Sequence, residues 1–184
     1  MSWTSKYAAR FTKPLKWQLY GIISRDIQAA LNNVNPAAGY SPIVSYHKAA
    51  LAIEQFPSLL LTTERQRFDA ESDQTRKYSA NFYCSVAVAH QDPNVVADML
   101  EDYVLALDQV INSAWELTAE DFYSLQIPLP SPPFAAGATS PGIQAGSLGR
   151  IFVADVAYDE TKQIGNKGFA RAATMSIVAD CEEI

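Results

Sequence analysis

Apolar residues along the chain fall into alternating blocks of helical and strand-like spacing. Trp17, Tyr20, Ile23, Ile27, Leu31 and Val34 recur every three or four residues, which predicts a helix of about five turns with one apolar stripe. Asn32, Asn33, Asn35 and Pro36 close it, and a Pro/Gly/Ser stretch runs on to Pro42. Between Ile43 and Phe56 two readings stand side by side: Ile43, Val44 and Tyr46 suit a short strand, and Ala49 to Gln55 suit a helical turn. Leu59, Leu60 and Leu61 then lead into a β-prone run from Thr62 to Phe68, just after Pro57, and Tyr78 to His90 is a longer one. The polar bridge from Asp69 to Thr75 is long enough to reverse the chain, so these two runs are expected to pair antiparallel.

Asp92-Pro93 supplies an N-cap and a first-turn proline. Val95, Val96, Met99, Leu100, Tyr103, Val104, Leu107, Val110 and Ile111 follow on one face of a second helix. From Trp115 to Ser147 the periodicity collapses, and Pro128, Pro130, Pro132, Pro133 and Pro141 place half of the ten prolines in one long loop. Leu148 to Tyr158 and Phe169 to Ala179 read as a final strand pair, joined through Asp159 to Gly168, where Gly165-Asn166 and Gly168 carry the turn chemistry. The order is helix, hairpin, helix, loop, hairpin. It predicts one α+β domain over residues 1–184, an antiparallel sheet of mixed strand lengths with two main helices packed on a face.

Composition narrows the partners. Hydrophobic residues make up 48% of the chain and charged ones 18%, a low charge content that suits a surface partly covered by neighbours. A formal net charge of -6 disfavours a grip on nucleic acid or anionic lipid. Cys84 and Cys181 are far apart with no paired spacing, as expected of small core residues in a reducing compartment. Residues 1–16 form a basic arm with Lys6, Arg10, Lys13 and Lys16 but no continuous apolar stretch. No run of about 18 apolar residues follows, so neither a signal peptide nor a membrane span is expected, and synthesis in the cytoplasm is.

Candidate chemistry is sparse. Zinc needs at least three converging ligands, and the chain offers only His47, expected in a turn, and His90, expected where a strand gives way to the second helix. Ala145-Gly146-Ser147-Leu148-Gly149 lacks the first glycine of a nucleophile elbow and precedes a strand. The glycines at 142, 146 and 149 match no phosphate-binding pattern. Asp69, Glu71 and Asp73 resemble the start of a calcium loop, but Gln74 stands where the glycine is needed and Ala80 where the glutamate is. Asp98, Glu101, Asp102 and Asp108 belong to a wet helix face. No metal, cofactor or catalytic group is therefore expected, and the chain reads as a non-enzyme.

Taken together, several segments resemble the tail-terminator (tail completion) proteins of long-tailed bacteriophages. They are the first helix ending in Asn32 to Pro36, the proline-led strand Phe56 to Glu64, Tyr83 to Ala89, the helix Asp92 to Ile111, and the closing pair Val153 to Tyr158 and Ala170 to Val178. The likeness is one of layout over roughly residues 17–180, with the proline-rich 127–142 stretch as an insertion.

The resemblance implies a structural virion protein of the phage neck, at the head-proximal end of the tail. Its copies form a homo-oligomeric ring, a hexamer in that family, which caps the tail tube and meets the head-tail connector or adaptor protein while DNA passes through without specific binding. On that reading Asp69, Glu71 and Asp73 are candidates for the lumen, since carboxylates repel phosphates. Lys6, Arg10, Lys13, Lys16, Pro128, Pro130, Pro132 and Pro133 are candidates for contacts between subunits or with partners. Two alternatives stay open. One is another neck or tail component, a head-closure adaptor or a tail-tube subunit, although a tube subunit would show more strands and fewer helices. The other is a small ligand-binding or enzymatic domain of ferredoxin-like architecture.

Overall fold

The computed structural model of the chain describes residues 12–49, 55–70, 76–118, 125–140, 147–166 and 168–183. Helix α1 (Thr12–Val34) accepts Pro14 in its first turn, where no backbone N–H is needed for the ladder, so Lys13 and Lys16 of the basic segment belong to the helix. Its stripe of Leu15, Leu19, Ile23, Ile27 and Leu31 is buried. Helix α2 (Pro93–Asn112) starts on Asp92, whose side chain accepts from the Asn94 N–H at 2.8 Å, and Val96, Leu100, Tyr103, Leu107 and Ile111 bury its inner face. A 3-10 turn (Trp115–Thr118) follows.

Six strands form one sheet: β1 (Ser45–His47), β2 (Ser58–Ala70), β3 (Arg76–His90), β4 (Ser147–Tyr158), β5 (Lys162–Ile164) and β6 (Gly168–Glu183). Their order is β1-β2-β3-β6-β4, with β5 also on β6. Both expected antiparallel pairs are present, β2 with β3 and β4 with β6. The sheet is nevertheless mixed, because β1 runs parallel to β2 from Ser45↔Ser58 to His47↔Leu60. Of the two readings for Ile43 to Phe56 the strand holds at Ser45–His47, so His47 ends a strand instead of sitting in a turn. Residues 50–54 lie outside the described part.

Alternation along the strands decides which face is covered. Phe82, Cys84, Val86 and Val88 of β3 and Met175, Ile177 and Ala179 of β6 are buried, and both helices pack on that side. Burial pushes the Cys84 thiol up to about 12, so it stays a protonated core group.

Tyr20 fastens α1 to the sheet where β1 stops. Its hydroxyl donates to the His47 carbonyl and accepts from the Leu61 N–H at 2.9 Å, completing a backbone donor that β1 is too short to reach. Tyr103 ties α2 to the stretch ahead of β1 by donating to the Ser41 carbonyl.

The proline-rich stretch folds back onto its own helix. Pro128 bridges Thr139, Leu129 N–H bonds to the Ala138 carbonyl at 2.9 Å, and Ser140 N–H bonds to the Ile127 carbonyl at 2.8 Å. Ile127, Leu129 and Phe134 enter the core, and Phe134 stands edge-on to Trp17 and Tyr20 at centroid distances of 5.3 and 5.4 Å. Gly21 permits this approach: a Cβ there would lie 2.6 Å from Ile127 Cγ2 and 2.9 Å from the Pro128 carbonyl.

Candidate interaction surfaces

Three features of the fold are unfinished in an isolated chain. The first is the rim of the sheet. β1 covers β2 only as far as Leu60, so β2 from Thr62 to Ala70 has no strand on its outer side among the described residues. At the opposite rim β4 lies along β6 from Tyr158↔Ala173, and β5 continues along the same strand from Lys162↔Ala170, linked by the Asp159 N–H to the Ala172 carbonyl at 2.9 Å. The two act as one long edge. Bulges at Thr63/Arg65 in β2 and at Leu148/Arg150 and Val153/Asp155 in β4 bend these rims. Each still presents backbone donors and acceptors in a row, the usual template for another strand.

The second feature is the sheet face turned away from the helices. Among the described residues no helix packs there, and it presents Asn81, Tyr83 and Ser85 of β3 beside Thr174 and Ser176 of β6. Ser85 and Thr174 are cross-strand partners with hydroxyls 3.0 Å apart. Nearer the rim Asp180 accepts from Ser79 at 2.8 Å and from Arg150 at 2.7 Å, and the Arg150 guanidinium, ahead of the Ser79 hydroxyl, holds its carboxyl below the usual range.

The third is a groove of about 310 Å³ between the C-terminal half of α1 and the end of α2. Arg25 binds both Asp26 and Glu116 at its side, and Trp115 is 73% exposed.

The sequence candidates are distributed as follows. Asp69 is in β2, opposite Lys77 of β3, while Glu71 and Asp73 lie outside the described residues. Lys13 and Lys16 are on α1, and Lys6 and Arg10 lie outside the described residues. Pro128 and Pro132 are exposed, Pro133 is half-buried and Pro130 is buried. The acidic residues of α2 are on its outer side, with Asp102 accepting from Asn35 at 2.9 Å and Asp108 from Asn112 at 2.8 Å. No group of three or more metal-ligating side chains occurs among the described residues, and no described helix is long and apolar enough to cross a membrane. His90 ends β3, and its Nδ1 accepts from the Asp92 N–H at 3.1 Å.

Sequence reading missed one hydroxyl–imidazole contact. Ser45 Oγ lies 2.8 Å from His47 Nε2, because residues two apart on a strand share a face. That spacing was the available signal. Among the described residues no carboxylate bonds the other ring nitrogen of His47, so the orienting member of a triad is not supplied there.

No family model matches the chain, and no curated protein does. Among solved structures it is similar to a chain from the virion of a native gene transfer agent particle. The identity is 12% and the TM-score 0.39, with 84% of this chain and 93% of that chain covered. A superposition that loose assigns no function.

Proposed function

We propose that this chain is a structural subunit of a phage-type virion, forming a ring in the neck that caps the tail tube and joins it to the head connector. The observation that carries this reading is the pair of strand rims, on opposite sides of one sheet, that no further strand covers among the described residues. A contact between two different edges of identical subunits is heterologous, and such contacts close into rings when the rotation between neighbours divides a full turn. Six copies would satisfy that condition. The low charge content and the uncovered sheet face supply further surface for neighbours. Asp69, Glu71 and Asp73, at and beyond the end of β2, line the channel and keep phosphates from adhering.

The edge can be tested without damaging the fold. Leu61 directs its N–H outward to Tyr20, so by alternation Thr63 also directs its N–H away from β3. Thr63→Pro removes a donor from the open rim and leaves the β2–β3 ladder intact. Electron microscopy of the purified protein is expected to show rings for the natural chain and none for Thr63→Pro, with unchanged circular dichroism. Rings formed equally well by the variant would overturn the use of this edge, and a chain that stays single on tail tubes would overturn the ring itself.

A further inference from the structure

Two different rims of one sheet can join with their faces matched only when their pleats are in phase, because residues that pair across strands put their side chains on the same face. One hydrogen bond fixes the phase of each rim. On β2 the Leu61 N–H reaches out to Tyr20, so Leu61 and Thr63 direct their backbone groups away from β3; they stand opposite Cys84 and Phe82, which are buried on the helix side. On β4 the Asp159 N–H that follows the strand turns inward to Ala172, so Val156 and Tyr158 direct theirs outward; they stand opposite Met175 and Ala173, buried on the same side. The outward backbone groups of both rims therefore belong to helix-side residues. Strand direction agrees as well. β2 and β4 run in opposite senses, since three antiparallel ladders separate them. Rotation about an axis parallel to the strands preserves both sense and sidedness, so it brings the β4 rim of one copy antiparallel to the β2 rim of the next with all helices on one side.

The charges on the open face are complementary. Arg65 is exposed opposite Asn81 and has no carboxylate partner among the described residues, while Glu64 beside it is engaged by the Tyr83 hydroxyl. On the other rim Asp155 and Asp159, two residues either side of Ala157, are exposed on that same face, and among the described residues neither carboxylate has a cation.

We propose that the β2 rim of one copy pairs with the β4 rim of the next in a single register, Thr63 opposite Tyr158 and Arg65 opposite Ala157, with the Arg65 guanidinium between Asp155 and Asp159 of the neighbour. The inference rests on the ring reading and specifies its contact. β1 sets the register. It covers β2 as far as Leu60 and Tyr20 closes Leu61, so an incoming strand has room only from Thr62 onward. β4 ends at Tyr158, and in this register it ends where that room begins. The bulge at Thr63/Arg65 sets Glu64 and Arg65 together against the small Ala157. Diagonal neighbours on one face are about 7–8 Å apart, within reach of an arginine.

Arg65→Cys combined with Ala157→Cys, in the full-length chain under mild oxidation, tests the register. Within one chain the two positions are three strand spacings apart, about 14 Å, whereas a disulfide needs Cα atoms within about 7 Å, so a bridge must join copies. A ladder of covalent multimers on a non-reducing gel is expected, absent from each single-cysteine variant. A double variant that forms rings by electron microscopy but gives no ladder would overturn the register and leave the ring standing. The ion pairing is read by sedimentation velocity. Arg65→Asp, or Asp155→Arg with Asp159→Arg, is expected to weaken self-association about tenfold, and the three substitutions together to restore most of it. Association indifferent to either reversal, or not restored by the exchange, would overturn the pairing. If the natural chain never associates, with or without tail tubes, the ring reading and the register fall together.

Discussion

Replacing Gly21 by alanine sets two known effects against each other at one position. In a helix interior the change by itself favours folding by about 1 kcal/mol, since alanine is the best helix former and glycine among the worst. Here the added methyl would sit 2.6 Å from Ile127 Cγ2 and 2.9 Å from the Pro128 carbonyl, closer than real contacts allow. The carbonyl belongs to a backbone tied by the Leu129–Ala138 and Ser140–Ile127 hydrogen bonds, so the segment moves as a unit or not at all. Overpacking of this kind costs roughly 1–3 kcal/mol. Because a backbone atom is involved, the upper part of that range applies, and Gly21→Ala is expected to lose about 1–2 kcal/mol net. For a chain of this length that lowers the thermal midpoint by about 2–8 °C.

Urea unfolding gives the free energy directly, and a double-mutant cycle locates its origin. Ile127→Ala alone should cost about 2–5 kcal/mol as a cavity. Combined with Gly21→Ala it should cost less than the sum, by about 1 kcal/mol, because the new methyl occupies vacated space. A Gly21→Ala protein as stable as the natural one, or an additive cycle, would refute the close packing of the proline-rich stretch on α1.

Three further outcomes follow from the same structure. Tyr20→Phe leaves the Leu61 N–H and the His47 carbonyl without their partner and is expected to cost about 1–3 kcal/mol in urea unfolding; a loss below about 0.5 kcal/mol would show the hydroxyl to be dispensable. Desolvation pushes Tyr20 and Tyr46 up to about 12 from an ordinary 10.0, so the folded state holds protons that the unfolded state releases. Stability from these groups is therefore complete below pH 10 and declines as the pH rises toward about 12; phenolate absorbance is expected to rise in step with loss of far-ultraviolet ellipticity, and early, separate ionisation of these tyrosines would contradict their burial. Asp180 shifts the opposite way, so the contribution of its contacts with Arg150 and Ser79 is present above the ordinary carboxylate range and is lost as acid titrates it. Asp180→Asn should flatten that acid limb, seen by thermal melts across pH.

Much of the fold was legible because it rests on local periodicity. The stripe through Ile23, Ile27 and Leu31, the Asp92-Pro93 start of α2 and the glycine turn at Gly165 each encode their structure within a few residues. The parallel seat of β1 on β2 depends on a partner strand that sequence spacing does not specify, so His47 was misplaced. Ile127, Leu129 and Phe134 enter the core at irregular intervals, and only the facing Gly21 explains why that loop lies flat on a helix. Likewise, Trp115 stood in the sequence at the start of a stretch without periodicity. It is exposed beside a groove that residues of both helices line together, and no single segment contains that groove.

The function we propose is mechanical: sister chains would complete the rims of one sheet, and the resulting ring would stop the tail and receive the head. Its most direct measurement is electron microscopy of particles assembled by the parent virus with this chain deleted. Filled heads separate from tails of abnormal length are the predicted result. Normally joined particles with tails of ordinary length would contradict it.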